Sequence, residues 1–363
     1  MSKSREFRIS PFSTTPGIAG EAYINNYYAD EIIANFESSY STQYVYKLIG
    51  LRGSGKSVEY KKVMDHFSLM PEKWKVYALA AGGDPIQAFI SSMALEKEIY
   101  NYVKTKEISM SGEVEGNALL INGNVAATSK TILSANPNYY SAETEMRTMC
   151  EKICASGYTI LIGIDDISKT DSMAQFLSIV GSLLLNPKVK IRMVVTGLQK
   201  NIEDFYSLDI EHLSFFVRPK PIEVGTLSTD EIELKYRDLL MVDTQTAKAL
   251  APIPNGYAWA YSLLGDEYFL KGEDESLEEI LYRFDLKMAH TYDLISASLT
   301  AKEKEFIKEL LNNDGSLALN KQIKGYSQHR ADLIKKHLIE TDINGNLKIR
   351  VPRFNEYIRT HWK

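Results

Sequence analysis

Gly50-Leu-Arg-Gly-Ser-Gly-Lys-Ser57 has the spacing G-x-x-x-x-G-K-[ST], the pattern of a loop that wraps phosphate. Its glycines let the backbone curl until successive N–H groups point inward at phosphate oxygens. Lys56 is expected to reach β- and γ-phosphates, and the Ser57 hydroxyl to serve as a ligand to Mg²⁺. The flanks agree with this reading. Tyr44-Val-Tyr-Lys-Leu-Ile49 is rich in β-branched and aromatic residues, as a buried strand is. Val58, Met64 and Phe67 recur at roughly helical spacing. Strand, glycine loop and helix in that order put a helix N-terminus against an anion. A glycine turn beside a chance Lys-Ser would explain the eight residues but not their flanks. A nucleoside triphosphate is the expected ligand, with Gly50, Arg52, Gly53, Ser54, Gly55, Lys56, Ser57 and Val58 as the cradle. Arg52 has two readings, covering a phosphate or facing solvent.

The second deciding stretch is Tyr158-Thr-Ile-Leu-Ile-Gly-Ile-Asp-Asp-Ile167. A near-continuous apolar run fits a parallel strand buried on both faces. It ends in Asp165 and Asp166, and adjacent carboxylates are costly at a buried strand end unless a cation is present. Asp165 is therefore expected to hold Mg²⁺ and Asp166 to polarise the attacking water; a solvated turn is the plainer alternative. Ile191-Arg-Met-Val-Val-Thr196 is a third parallel strand, whose Thr196 stands where a polar group meets the γ-phosphate or the water. Trp74–Leu79 and Pro221–Val224 complete the strands. Strands alternating with helical stretches predict a doubly wound α/β domain.

The 363 residues suggest two to three domains, and the 44% hydrophobic and 25% charged content is that of a soluble globular protein. Nothing approaches a membrane span or a signal peptide, so a cytoplasmic protein without membrane attachment is expected. Cys150 and Cys154, the two cysteines, sit one helical turn apart and read as reduced, packed thiols. The net charge of −5 is uneven: residues 299–363 carry 13 Lys and Arg against 8 Asp and Glu, leaving 29 against 39 before them. An acidic body with a basic tail points toward nucleic acid.

Residues 1–43 are expected to be an extended, turn-rich segment followed by a helix over 21–36, with Ile18 and Ala19 able to pack on a base. The phosphate-loop domain is expected over 44–227, with a hairpin insertion about 106–135 around Asn122-Gly123. Helix is expected over 86–103 and 141–155. A small helical domain follows over 228–298, opened by the capping box Ser228-Thr-Asp-Glu231. Thr300-Ala-Lys-Glu303 is a second box. Helices over 300–311, near Asn320 and over 328–338, then a hairpin about Asn344-Gly345, predict a winged helix-turn-helix over 299–363.

The ordered set of motifs resembles a known family, the bacterial and archaeal AAA+-type ATPases related to origin-recognition ATPases and STAND switches. The resemblance runs from Pro11 to Trp362. Its carriers are Pro16-Gly-Ile-Ala-Gly-Glu21, the phosphate loop, Ile164-Asp-Asp166, Val195-Thr-Gly-Leu198, Ile222-Glu-Val-Gly-Thr-Leu227 and Asn255-Gly-Tyr257. In the C-terminal segment Leu338-Ile-Glu340 and Ile349-Arg-Val-Pro352 carry it. It implies a phosphate-loop domain with a helical lid and winged helix, ATP or ADP with Mg²⁺, and an arginine supplied to a neighbouring subunit. Arg218 is the candidate for that arginine by position; a surface arginine before an edge strand is the other reading. Preference for adenine also rests on the resemblance. Three positions depart from the family: Asp165-Asp166 where Asp-Glu is usual, Glu21 after Ala19-Gly20 where arginine is common, and Asn255-Gly-Tyr257 where Gly-Gly-Tyr-Pro is frequent. Aspartate is one methylene shorter than glutamate, which favours slow turnover.

Two functions remain open on this reading. One is a nucleotide-gated ATPase that binds duplex DNA through Arg330, Lys335 and Lys336 on the third helix of the tail and Lys348 and Arg350 in the wing. The other is a STAND-like ATP/ADP switch that gates a partner protein or homo-oligomer without DNA. A small-molecule kinase needs neither the winged helix nor the acid pair.

Overall fold

The computed structural model describes residues 9–104, 139–208, 213–312, 317–318, 327–341 and 346–362. The chain divides into two compact units. One comprises Met1–Tyr27, Gly50–Val58 and Glu223–Lys363, the other Tyr28–Ile49 and Glu59–Ile222.

The second unit is built on strands β1 (Val45–Ile49), β2 (Trp74–Ala80), β3 (Thr159–Asp165) and β4 (Ile191–Gly197), joined at one edge by the two-residue β5 (Ile222–Glu223). The five-stranded order is β2-β3-β4-β1-β5, with β1–β4, β2–β3 and β3–β4 all parallel. This is the α/β arrangement expected from the alternation of strands and helices. Register sets Leu48 against Thr196 and Ile49 against Gly197, so β1, β3 and β4 end together at one rim. Helices α1 (Tyr28–Glu37), α2 (Lys56–Ser68), α3 (Pro85–Met93), α4 (Tyr139–Ala155) and α5 (Asp171–Leu184) flank these strands in sequence. Short helices α6 (Gln199–Glu203) and α7 (Ser214–Val217) lie between β4 and β5. The core of this unit includes Ile160, Ile162, Ile164, Phe89, Phe176 and Met193, none of them reached by solvent. A β-carbon at Gly163 would come within 2.6 Å of Tyr60 and Met64, so this strand position must be glycine for α2 to pack so closely.

Two sequence expectations shift here. The helix expected over 21–36 begins only at Tyr28, because Tyr27 takes a left-handed φ of 62°. The preceding residues are instead fixed by Ala22 N–H donating to Pro11 O at 3.1 Å and Tyr261 Oη donating to Ala22 O at 2.8 Å. The helix expected over 86–103 is interrupted after Met93 and resumes at Tyr100. The hairpin about Asn122-Gly123 lies outside the described residues. Both cysteines are free thiols.

The first unit holds helices α8 (Thr229–Leu240), α9 (Thr244–Leu250), α10 (Ala258–Phe269) and α11 (Leu277–Ala297). Phe12, from the amino-terminal segment, sits 5.8 Å from the Tyr236 ring and 5.6 Å from the Tyr261 ring. Ser228 makes no side-chain cap bond, so the box expected there does not form. The box at Thr300 does: Thr300 N–H donates to Glu303 at 2.7 Å and Glu303 N–H to Thr300 Oγ1 at 3.3 Å. It opens α12 (Ala301–Asn312). After it come β6 (Leu317–Ala318), α13 (Ser327–Lys335), β7 (Ile339–Thr341), β8 (Asn346–Ile349) and α14 (Phe354–His361). β6, β8 and β7 form an antiparallel sheet in that order, with Ile339 opposite Ile349 and Glu340 opposite Lys348. The helix near Asn320 and the Asn344-Gly345 turn fall outside the described residues. Among the described residues, no helix is long and apolar enough to cross a membrane.

Candidate functional site

The loop that follows β1 is wound as its glycines require. Gly50, Gly53 and Gly55 have φ of 152°, 80° and 101°, values that side chains resist. Gly53 has a second constraint, since a β-carbon there would come within 2.9 Å of Tyr257 Oη and 3.0 Å of Trp259 Cβ. Tyr257 is buried and pushed above the ordinary tyrosine range by burial. Trp259 N–H donates to Gly53 O at 2.9 Å, so the start of α10 supports the loop directly. Lys56 is buried, and its ammonium donates to Gly50 O at 3.0 Å and Leu51 O at 2.6 Å. Ser54 Oγ is buried with no hydrogen-bond partner. Ser57 and Val58 are half-buried in the first turn of α2, and Arg52 is exposed. Ile18 and Ala19 are exposed and lie outside the cavity described next.

A cavity of about 320 Å³, counting its open mouth, is lined by Gly50, Leu51 and Ser54 of the loop, Glu223 to Thr226, Gly256, Tyr257, His337 and Arg350. The last two come from the C-terminal region. His337 follows α13 in a left-handed conformation, φ 56°. Its Nδ1 is 2.9 Å from Glu223 Oε1, and an Arg350 amino nitrogen is 3.6 Å from the same oxygen. Asn255 Nδ2 donates to Arg350 O at 2.8 Å, tying the loop before α10 to the end of β8. Burial, and then the charges of Arg350 and Lys56, hold His337 below the ordinary histidine range despite Glu223. His337 Nε2 is buried without a hydrogen-bond partner, while Arg350 Nε makes no hydrogen bond but lies 3.3 Å from Glu340 Oε2 in an ion pair. With Ser54 Oγ, His337 Nε2 makes two unpartnered buried polar atoms on one cavity. Buried polar groups are nearly always paired, so these two, beside the Arg350 guanidinium, suit an anionic oxygen-rich group such as a phosphate.

This geometry corrects two sequence expectations. Arg350 was expected on an exposed wing. Its side chain is 14% exposed and turned toward Glu223 and Glu340. Lys336 was expected on an open helix face, but it donates to Glu303 at 2.7 Å and to Ser298 O at 3.3 Å. Glu303 is 3% exposed, and a carboxylate buried to that degree needs a counter-charge. In and just after α13, Leu333 and Leu338 are buried and Ile334 is 37% exposed. Arg330 is half-buried, and Lys335 and Lys348 are exposed.

The other unit carries the acid pair. Asp165 ends β3 and Asp166 follows with a left-handed φ of 56°. Thr196 is buried at the end of β4; its hydroxyl donates to Asp165 Oδ1 at 2.5 Å and accepts the Asp166 N–H at 2.8 Å. Ile167 N–H completes the turn on Thr196 O at 2.8 Å. Asp165 is half-buried and Asp166 exposed. Asp165 also raises the Tyr60 phenol, after burial as the larger cause. Among the described residues no cluster of three or more acids, histidines or cysteines could hold a metal by itself. Arg218 is exposed at the end of α7.

His337 and Glu223 are the site residues that reading the sequence missed. Neither stands in the phosphate-loop pattern, and the signal for His337, a histidine between Lys336 and Leu338, is indistinct from a helix end.

Protein-family models and curated proteins give no match to the chain. Solved structures do. A Walker-type ATPase of Pyrococcus abyssi superposes with a TM-score of 0.55 at 12% identity, covering 98% of this chain and 99% of that one. The ADP form of the Aeropyrum pernix ORC2 protein aligns at 0.43 and 11% identity, over 92% of this chain and 91% of that one. A STAND protein with a tetratricopeptide repeat sensor from Pyrococcus horikoshii aligns at 0.37 and 15%, over 98% of this chain and 44% of that one. The chain has the P-loop ATPase fold, on the strength of the first superposition.

Proposed function

We propose that the protein is a nucleotide-operated switch that binds ATP or ADP with Mg²⁺ in the phosphate loop and hydrolyses ATP slowly. In this reading a phosphate-loop domain over 44–227, led by residues 1–43, is followed by a helical lid over 228–298 and a winged helix over 299–363. One observation carries the reading: His337 and Arg350, from the C-terminal region, line the same cavity as Gly50, Leu51 and Ser54. Nucleotide state would thereby be felt directly by the segment that acts on a partner.

Each residue has a defined task. The loop N–H groups and Lys56 hold phosphates, and Ser57 with Asp165 would hold Mg²⁺, whose charge would neutralise the phosphate oxygens. Thr196 orients Asp165 through its hydroxyl and fixes the Asp166 backbone. Asp166 would orient the attacking water from a side chain shorter than glutamate. Arg218 would serve the site of a neighbouring copy. His337 Nε2 and the Arg350 guanidinium would take phosphate oxygens, drawing His337 away from Glu223 and Arg350 away from Glu223 and Glu340.

For the output, Arg330, Lys335 and Lys348 are the basic group proposed for duplex DNA. Lys336 and Arg350 are engaged elsewhere, which favours the second output, a partner protein or a homo-oligomer gated without DNA.

Titration with a fluorescent ADP analogue tests the reading. His337→Ala and Arg350→Ala should each weaken binding about tenfold, the worth of one hydrogen bond to a charged group. Unchanged affinity in both variants would remove the C-terminal region from the site, and Lys56→Ala binding as tightly as the parent would remove the nucleotide.

A further inference from the structure

Lys47 lies in the middle of β1 and is 1% exposed. Its ammonium donates to Phe216 O at 2.5 Å, to the Tyr206 hydroxyl at 3.0 Å and to Val217 O at 3.4 Å. It also sits 5.0 Å from the Tyr206 ring centroid and 5.2 Å from that of Phe216. Among the described residues no carboxylate pairs with it. A buried cation held by neutral groups is a costly way to fill a strand position, because desolvation is not offset by an opposite charge. A methionine would fill the same volume without that cost. The charge must therefore be sought in what it holds.

What it holds is the last turn of α7. Phe216 and Val217 supply the carbonyls, and the next residue is Arg218, exposed and without an ionic partner among the described residues. Arg218 N–H donates to Ser214 O at 3.0 Å, closing that same turn. α7 has only four residues, too few to hold its own C-terminal end by helical bonds alone. The residue after Arg218 is Pro219, which donates no hydrogen bond and stops the helix there. The ammonium is thus the external fastening of the turn that presents the arginine.

We infer that Lys47 is a positioning residue for Arg218, clamping the carbonyl end of α7 so that the guanidinium is presented at a fixed place to the nucleotide of a neighbouring copy. This rests on the reading of Arg218 as an arginine given in trans. The clamp is conditional on charge. Burial lowers the Lys47 ammonium to about 8, well under the usual lysine value. A neutral amine donates more weakly to carbonyls, so the hold is stronger at pH 7 and weakens as pH rises through 8. The groups facing Lys47 are the Tyr206 hydroxyl, itself raised by burial and then by Glu203, and the two carbonyls. None of them loses a proton in that interval.

The test uses two full-length variants mixed. Arg218→Ala keeps its phosphate loop but offers no arginine, and Lys56→Ala keeps its arginine but cannot turn over ATP. Mixing them should restore ATPase activity that neither has alone. A donor carrying Lys56→Ala with Lys47→Met should restore it about a hundredfold less at pH 7, the cost of an ångström of misplacement. A donor with Lys56→Ala and Lys47→Arg should restore it. The ratio of lysine-donor to arginine-donor rescue should fall between pH 7 and 9.5, a comparison in which the acceptor's own pH dependence cancels. Hydrogen exchange gives a second readout: the Arg218 amide should be less protected in Lys47→Met, with β1 and β4 amides unchanged. Rescue by the Lys47→Met donor equal to the parent donor overturns the inference and leaves the role of Arg218 standing. No rescue by the parent donor overturns both. If Lys47→Met does not fold, the lysine-to-arginine ratio decides alone, and a flat ratio overturns the clamp.

Discussion

The Thr196 hydroxyl donates to the Asp165 carboxylate at 2.5 Å and accepts the Asp166 N–H at 2.8 Å, so a single oxygen on β4 sets both acids at the end of β3. One acid is fixed by its side chain and the other by its backbone. Thr196→Val keeps the shape and removes both bonds. It should cost about 1–3 kcal/mol of stability, because the Asp166 N–H loses its partner. ATP turnover should fall at least tenfold, with a higher Mg²⁺ requirement for binding. A melt and a Mg²⁺ titration check this; loss of stability with no change in turnover would leave Thr196 a structural residue.

Asp166 is the position at which chemistry and backbone compete. Asp166→Asn should retain ATP and stop turnover. Asparagine tolerates the left-handed φ of 56° well, so that variant should fold like the parent. Asp166→Glu adds the methylene and should raise turnover, at a stability cost of about 1 kcal/mol for holding a longer side chain in that conformation. Single-turnover measurements separate the two. A slower glutamate variant would mean the short side chain does not limit the rate.

His337 predicts a pH dependence of nucleotide affinity with a definite sign. Burial, Arg350 and Lys56 lower its proton affinity in the empty protein, so it is neutral near pH 7. A bound phosphate reverses that environment and favours the protonated ring. Binding should therefore take up a proton, and affinity should rise as pH falls from 8 to 6. His337→Gln should flatten the profile. The same depression makes the fold lose stability as pH falls below about 6.5, since the unfolded histidine takes its proton first. Calorimetry in buffers of different ionisation enthalpy counts the proton directly.

Lys335 and Lys336 are neighbours with opposite expected consequences. Lys336→Ala leaves the buried Glu303 carboxylate with the Thr300 N–H but without its counter-charge, and should destabilise the protein by about 1–3 kcal/mol. Lys335 is exposed, so Lys335→Ala should cost less than Lys336→Ala in a denaturant titration. If duplex DNA is a ligand, Lys335→Ala should lower the salt slope of binding by about 0.9. Anisotropy at two salt concentrations reads this, and a slope indifferent to Lys335 would favour a protein partner.

The strands, the loop and the acid pair were legible because each repeats a local rule: apolar runs for buried strands, glycines where φ must be positive, polar residues where a strand ends. The order β2-β3-β4-β1-β5 was not, because side-chain patterning says which faces are buried but not which strand lies beside which. Arg350 and Lys336 were misread for one reason. A basic residue on a polar face is solvated by default, and only tertiary structure reveals Glu223, Glu340 and Glu303 as their partners. The Ser228 box failed although its sequence is as good as that of Thr300. Capping patterns offer a bond that the fold is free to decline.

Phe12 has a consequence for how the protein tolerates shortening. Its ring occupies the space a side chain at Gly265 would need, coming within 2.4 Å of a β-carbon placed there. The amino-terminal segment, a loop by sequence, thereby acts as a plug in the aromatic cluster beneath α10, the helix whose start also supports Gly53. A chain beginning after residue 12 would leave a ring-sized void beside Tyr236 and Tyr261, and relaxation of α10 into it would be expected to disturb Tyr257 and Trp259 at its start. Trimming at the far end of the sequence would then be felt as weaker nucleotide binding, far along the chain from where the cut was made.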